Sequence, residues 1–181
     1  SVSRAPRAER LARWWRWVMT AALLSSAPFA AARDLIAFVA PDFLHGPSVS
    51  RSAFGTTYVY TGQPPHAASE LQLTVVAVPT TLKAQAGQLQ AHCLSAFLDE
   101  LRARDPGLMV GSTTAEASAG PLTLVERRWL SQRGERMMTG VTACGLHRGF
   151  FVSANFADDL GSAVQSFPAL RAALGRLEVR F

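Results

Sequence analysis

The sequence has few charged residues, few cysteines and no recognisable catalytic motif. Charged residues make up 17% of the 181 residues, whereas hydrophobic residues make up 49%. This composition is unlike that of a disordered chain and is sufficient for one domain with a hydrophobic core. The sequence motifs of serine hydrolases, phosphate-binding loops, dinucleotide-binding folds and zinc proteases are absent. These absences disfavour an enzyme and indicate no cofactor.

Positive charge is concentrated at the amino-terminal end. Residues 1–32 contain five arginines and one glutamate. The other 149 residues carry 13 basic and 12 acidic side chains, so they are nearly neutral. A nucleic-acid partner would require a basic surface on the domain itself. We therefore expect no binding to nucleic acid.

Residues 1–32 have the three parts of a secretory signal peptide. An arginine-rich segment ends at Arg16, an apolar stretch begins at Trp17, and Ala30-Ala31-Ala32 fits the small-residue cleavage pattern. The uncharged run from Trp17 to Ala32 spans 16 residues, fewer than the roughly 20 of a membrane-spanning helix. We predict cleavage near Ala32, which leaves residues 33–181 as a single periplasmic or secreted domain.

Two other interpretations of the leader stay open. An uncleaved leader would anchor the protein in the inner membrane and would place Trp14, Trp15 and Trp17 at the interface, where tryptophan is favoured. A mitochondrial transit peptide fits less well, because the arginine-rich segment is followed by a true hydrophobic stretch. No cysteine follows that stretch, so it offers no lipoprotein anchor.

Cys93 and Cys144 are the only cysteines. In an oxidising compartment such a pair forms a disulfide or stays as two buried thiols, and the sequence leaves both open. His92 and His147 would complete a zinc set with them. Adjacent helical residues point about 100° apart, so His92 and Cys93 cannot both face one ion. We therefore expect no metal site.

Short strands are predicted on both sides of one long helical segment. Residues 71–78 form the clearest strand, because apolar and polar residues alternate before an apolar end. Composition and boundary residues indicate further strands at 35–40, 55–61, 108–114, 122–131, 135–144, 150–156 and 177–181. Residues 115–121 are predicted to form a loop. The short links at 133–134 and 145–149 favour an antiparallel meander.

Two helices complete the prediction. Apolar residues recur at helical spacing from Leu82 to Arg104, at positions 82, 89, 93, 94, 97, 98 and 101. A second, shorter helix is predicted near the carboxyl end, with Ser166 as its cap and Pro168 in its first turn. We therefore predict an α+β domain, in which an antiparallel sheet is packed by a long central helix and a shorter C-terminal helix.

A few aromatic and basic side chains are candidates for docking a partner. Tyr58 and Tyr60 share one face of their strand, and Trp129 is the only tryptophan outside the leader. Arg127 and Arg128 point to opposite faces of their strand, so Arg128 alone joins this group. An exposed aromatic stripe would favour protein docking. Packing in the core is the alternative for the aromatic residues.

Some ionisable residues are given structural interpretations. Asp158 and Asp159 precede a predicted helix, where the positive end of the helix dipole favours acidic residues. We therefore interpret them as helix-start residues and not as a catalytic pair. Arg148 is expected on a solvated face. His45 and His66 lie in loops without partners nearby in the sequence.

The order of elements resembles that of the PsbP-like α/β/α sandwich, which includes DcrB-type bacterial envelope proteins. The likeness rests on Phe38-Val39-Ala40-Pro41-Asp42-Phe43 near the start, and on Phe167-Pro168-Ala169-Leu170 and Leu177-Glu178-Val179 near the end. The resemblance implies a non-enzymatic binding or assembly accessory, and it carries over no catalytic residues.

Two functions are therefore expected. The first is an exported, non-enzymatic module that binds a protein partner in the envelope. The second is a small periplasmic enzyme or ligand carrier with a cavity between the long helix and the sheet. A deep pocket lined by converging polar groups would favour the second function.

Overall fold

The computed structural model describes residues 34–52, 55–78 and 86–181. These residues form ten strands and two helices. The strands are β1 (Ile36–Ala37), β2 (Leu44–Arg51), β3 (Gly55–Gly62), β4 (Glu70–Ala77), β5 (Met109–Val110), β6 (Ala115–Ala119), β7 (Leu122–Arg133), β8 (Arg136–His147), β9 (Phe150–Asp159) and β10 (Glu178–Val179). The helices are α1 (Ala86–Arg104), between β4 and β5, and α2 (Ala163–Leu174), between β9 and β10.

Eight strands form one antiparallel sheet in the order β2-β3-β4-β9-β8-β7-β5, and β6 also pairs with β7. The predicted meander is β7–β8–β9. Its second link is the two-residue turn Arg148-Gly149, and positive φ angles at both residues match the twist of the strands. β1 and β10 form a separate two-stranded sheet.

The two helices cover opposite faces of the sheet. Alternation along β4 sends Leu71, Leu73 and Val75 to one side, where they join the core cluster that includes Leu170 and Leu174 of α2. Val76 points to the other side, where a second cluster contains Cys93, Leu94 and Phe97 of α1 with Cys144 and Phe151. We call these sides the α2 face and the α1 face. The α+β sandwich predicted from the sequence is confirmed.

Several predicted boundaries are wrong. Residues 115–121 were expected to form a loop, but β6 pairs with β7 across the turn at Gly120 and Pro121. β8 and β9 extend beyond their predicted ends to His147 and Asp159. Strand β2 has no counterpart in the prediction, and its residues gain regular structure only by pairing with β3.

The C-terminal helix begins earlier than expected. Its cap is Ser162, and the turn before it is closed by the N–H of Ser162, which donates to the carbonyl oxygen of Asp159. Ser166 is therefore inside the helix, as is Pro168. Of the predicted long helix, residues 82–85 lie outside the described part of the chain, as does the leader 1–32.

Candidate functional site

The two cysteines are joined in a disulfide between α1 and β8. Their Cα atoms are 6.3 Å apart, and both residues are fully buried in the core beneath α1. Because each sulfur is bonded to the other, neither is available as a thiolate for the zinc set considered above. Within residues 34–52, 55–78 and 86–181, no three histidine, cysteine or acidic side chains are placed to hold a metal ion. The disulfide thus has a structural role, since it ties the long helix to the sheet.

The tyrosine candidates lie in the core of the α2 face. Tyr58 and Tyr60 are both buried, and the hydroxyl oxygen of Tyr58 accepts a hydrogen bond from the N–H of Leu35 at 3.2 Å. The ring of Phe38 packs edge-on against Tyr60, at 5.3 Å between centroids. Burial, followed by the proximity of Tyr58 and Asp34, raises the pKa of Tyr60 above its ordinary value. The two tyrosines therefore do not form an exposed stripe, and the core alternative describes them.

Trp129 is buried on the opposite side, against α1. Its indole packs with Leu98 and Met138 and lies directly over Gly140. A Cβ atom at position 140 would be only 2.0 Å from Cζ2 of the indole, so this position requires glycine. Trp129 is therefore also a core residue rather than an exposed docking residue.

Arg128 is the one docking candidate that remains exposed. As expected from strand alternation, Arg127 and Arg128 point to opposite faces of β7. Arg127 donates to the carbonyl oxygen of Gly111 at the edge of the sheet. Arg128 lies on the α2 face, with its guanidinium carbon 5.8 Å from the centre of the Phe167 ring, a cation–π geometry.

The outer side of α2, next to Arg128, is mostly apolar, with Gln165 as the one polar residue among the exposed residues of the helix. Val164 is 81% exposed, and Leu160, in the turn before the helix, is 45% exposed. Pro168 and Ala172 follow Val164 at intervals of four residues and are also exposed, so the three share one side of the helix. The only charged residue within α2 is Arg171. We call this region, Arg128, Leu160, Val164, Phe167, Pro168 and Ala172, the α2 surface.

Beneath the α2 surface a buried ion pair joins the helix to the sheet. Glu126 is 4% exposed and accepts a hydrogen bond from the guanidinium of Arg171, whose side chain is 33% exposed. A cavity of about 10 Å³ lies beside the pair, between α2 and apolar residues of the sheet such as Leu71 and Val141. Such a volume holds about one water molecule, whereas small-molecule pockets enclose roughly 300–1,000 Å³.

The interface that was considered for a ligand cavity, between α1 and the sheet, contains packed side chains. Leu94 and Phe97 of the helix meet Val76 and Phe151 of the sheet around the disulfide. The arrangement of these residues is that of a hydrophobic core.

A buried histidine–aspartate pair was missed by the sequence analysis. His66 and Asp158 are both buried, and Nδ1 of His66 lies 3.4 Å from Oδ2 of Asp158. The ring of Phe43 packs on His66 at 4.8 Å between centroids. His66 has no partner nearby in the sequence, as stated above, but the fold supplies one that is 92 positions away. The interpretation of Asp158 as a helix-start residue was wrong, because Asp158 lies in β9. The pair fastens the loop between β3 and β4 to the end of β9.

Solved structures share this fold, although no protein family profile and no curated protein sequence matches the chain. The cyanobacterial PsbP protein CyanoP from Synechocystis sp. PCC 6803 has a TM-score of 0.54 at 9% identity, covering 87% of this chain and 99% of CyanoP. LpqN, a protein involved in cell envelope biogenesis of Mycobacterium tuberculosis, has a TM-score of 0.51 at 11% identity, covering 81% of this chain and 83% of LpqN.

A protein from Bacteroides thetaiotaomicron has a TM-score of 0.53 at 11% identity, covering 84% of this chain and 48% of its own length. The fold is thus the PsbP-like sandwich that the sequence resembled. Identities this low show the fold alone. Neither of the two helices in the described ranges is long and apolar enough to cross a membrane.

Proposed function

We propose that this protein is an exported, non-enzymatic module of the cell envelope that binds a protein partner through the α2 surface. The observation that carries the proposal is the exposure of Val164 on a helix whose outer side has no charged residue. A surface helix of a free-standing domain normally presents several polar residues to solvent. Gln165 is the one polar residue among the exposed residues of α2, and an outer side with so few polar groups indicates a covering partner.

Charge around the α2 surface defines the chemistry of that partner. The helix contains no acidic residue, Arg171 is partly exposed, and Arg128 and Arg176 are exposed beside it. We therefore expect the partner to present an apolar centre with carboxylates at its rim, since complementary charge guides association. Arg128 is already oriented by its contact with Phe167, which lowers the entropy lost on binding.

Export and an envelope role belong to the same proposal. The three-part leader at residues 1–32 supports export, and the participation of LpqN in cell envelope biogenesis supports an envelope role for a protein of the same fold. The expected mature protein begins near residue 33, which intact mass measurement of periplasmic material would establish. A chain that retains Trp14 and partitions with membranes would contradict this part of the proposal.

Site-specific photo-crosslinking tests the docking surface. We would replace Val164 by p-benzoylphenylalanine in the full chain, irradiate living cells, and identify adducts by mass spectrometry. Val39, in the segment between β1 and β2, is 75% exposed and provides a matched control. We expect one discrete adduct at position 164, none at position 39, and loss of the adduct when Arg128→Glu is added.

Three results would reject the proposed surface. They are no adduct at position 164, the same adduct at both positions, or an adduct unaffected by Arg128→Glu. Recovery of the purified protein with a bound small molecule and no crosslinked protein would instead favour the carrier function. Circular dichroism of each variant verifies that the fold is retained, as expected for substitutions at exposed positions.

A further inference from the structure

Strand β6 has a free outer edge. It pairs with β7 on one side, and no other strand of the described ranges lies beyond it. The two-residue turn that follows β6 makes Ala119 and Leu122 a hydrogen-bonded pair, and such pairs alternate with non-bonded pairs along an antiparallel ladder. The backbone N–H and C=O groups of Glu116 and Ser118 therefore point away from β7, and both residues are exposed.

A hydrogen bond elsewhere along β7 agrees with these directions. The N–H of Gly111 donates to the carbonyl oxygen of Arg128 at 2.9 Å, so the backbone of Arg128 bonds toward β5 and β6. Glu126, two residues earlier on β7, bonds in the same direction and pairs with Ala115. Ala115 is thus bonded inward, and the backbone of its neighbour Glu116 is directed outward.

The two edges of the large sheet differ in their protection. At the opposite edge, β2 contains Pro47, has a register shift between His45 and Ser48, and ends at Arg51. Proline, irregular pairing and basic side chains prevent natural edge strands from pairing with another chain. β6 contains no proline and no basic residue, and its register with β7 is regular over all five residues. The β6 edge is therefore open to a further strand.

This free edge adjoins the α2 surface. Ala117 lines the small cavity described above, together with Phe167 and Arg171 of α2. Ala115 lies on the same face of β6 and is exposed. Because an alanine side chain ends at Cβ, the side chains of an added strand have room to lie over these two residues and against α2.

Charge at this junction is positive. Glu126 neutralises Arg171, whereas Arg128 contacts Phe167 and has no acidic partner within the described ranges. Arg176, exposed just after α2, adds a further positive charge. A second copy of this chain, paired antiparallel through β6, would place the same arginines of both chains on one face of a joint sheet, where they repel. An acidic segment of another protein supplies the missing negative charge.

We propose that the partner adds an extended acidic segment to the outer edge of β6, held by backbone hydrogen bonds to Glu116 and Ser118. This inference rests on the proposed function, since it names the part of the partner that binds beside α2. Alternate side chains of the segment face α2, where a carboxylate meets Arg128 and an apolar side chain packs near Phe167. The backbone bonds supply affinity, and these two side-chain contacts supply specificity.

The first test extends the photo-crosslinking experiment to the edge. We would replace Glu116 by p-benzoylphenylalanine in the full chain, because this side chain projects from the face opposite α2 and would touch an added strand but not a partner confined to α2. Val49 is the matched control, since its backbone groups point outward from β2 at the opposite edge. We expect the protein captured at position 164 to be captured also at position 116, and not at position 49.

The second test removes one hydrogen-bond donor from the edge. Ser118→Pro eliminates an outward N–H and places the proline ring where the added strand would bond, while it breaks no hydrogen bond to β7. Val49→Pro makes the same change at the opposite edge. We expect Ser118→Pro to lower the yield of the adduct at position 164 at least about tenfold, and Val49→Pro to leave it unchanged.

The outcomes separate this inference from the proposed function. An adduct at position 164 that is absent at position 116, that also forms at position 49, or that survives Ser118→Pro would overturn strand addition and leave the α2 surface in place. An adduct at position 116 without one at position 164 would overturn the combined site, and no adduct at either position would reject both proposals. Circular dichroism verifies that the proline variants keep the fold, and if they do not, the comparison of positions 116 and 49 decides alone.

Discussion

The disulfide between Cys93 and Cys144 is expected to supply a large share of the stability of the domain. The two cysteines are separated by 51 positions in the sequence. Closing a loop of that length reduces the entropy of the unfolded chain and stabilises the native state by about 4 kcal/mol at 25 °C. Whole domains are stable by about 5–15 kcal/mol, so the loss of this one bond would leave a marginal fold.

Chemical denaturation of the wild type, the Cys93→Ala variant and the double variant measures this contribution. Cys93→Ala alone removes the cross-link, so the free energy of unfolding of this variant should already be lower by about 4 kcal/mol. Adding Cys144→Ala should then cost less than about 1 kcal/mol, because the two substitutions remove the same bond and their effects are not additive. A reductant should destabilise the wild type by a similar amount and leave the double variant unchanged.

Two results would refute this reasoning. One is a decrease in the free energy of unfolding of less than about 1 kcal/mol in the Cys93→Ala variant, which is far less than loop closure predicts. The other is alkylation of both thiols in the native protein without a reductant, which would show that the cysteines are free. The second measurement needs only mass spectrometry of the native protein after alkylation.

Three further predictions concern buried polar groups. Arg171→Met should lower the free energy of unfolding by about 3 kcal/mol because it removes the partner of the buried Glu126 carboxyl, whereas Glu126→Gln should lower it by about 1 kcal/mol because Arg171 can turn to solvent; equal losses in urea unfolding would contradict this. A double-mutant cycle with His66→Ala, Asp158→Ala and the double variant should reveal a coupling free energy of at least about 1 kcal/mol. Additive losses of stability would show that the 3.4 Å contact between the two side chains contributes little. Because the pKa of Tyr60 is raised in the folded protein, the unfolded chain loses this proton at a lower pH. The free energy of unfolding should therefore fall as the pH rises above about 10, and it should fall less in the Tyr60→Phe variant. Parallel pH curves for the two proteins would contradict this prediction.

The parts of the fold that depend on local pattern could be predicted from the sequence. Alternation identified β4, and short links identified the β7–β8–β9 meander, because both signals lie within a few residues of each other. β2 and β6 could not be found in this way. Their serine, glycine and alanine residues resemble a loop, and pairing with β3 and β7 makes them strands.

The surroundings of individual side chains were less predictable. Alternation shows that Tyr58 and Tyr60 share a face, but only the tertiary structure shows that Phe38 and the chain at Leu35 cover them. His66 and Asp158 are 92 positions apart, and their contact depends on the order of strands in the sheet. Sequence periodicity contains no information about such distant pairs.

The pairing of β1 with β10 places the two ends of the domain side by side, since Ile36 lies opposite Val179. A pulling force applied between residues 34 and 181 would therefore act first on this small ribbon of two residue pairs, opening its hydrogen bonds one after another. The eight-stranded sheet would remain intact while the segment around Leu35 and Phe38 came away from Tyr58 and Tyr60. In a single-molecule stretching experiment, the domain should accordingly yield at low force and in two steps.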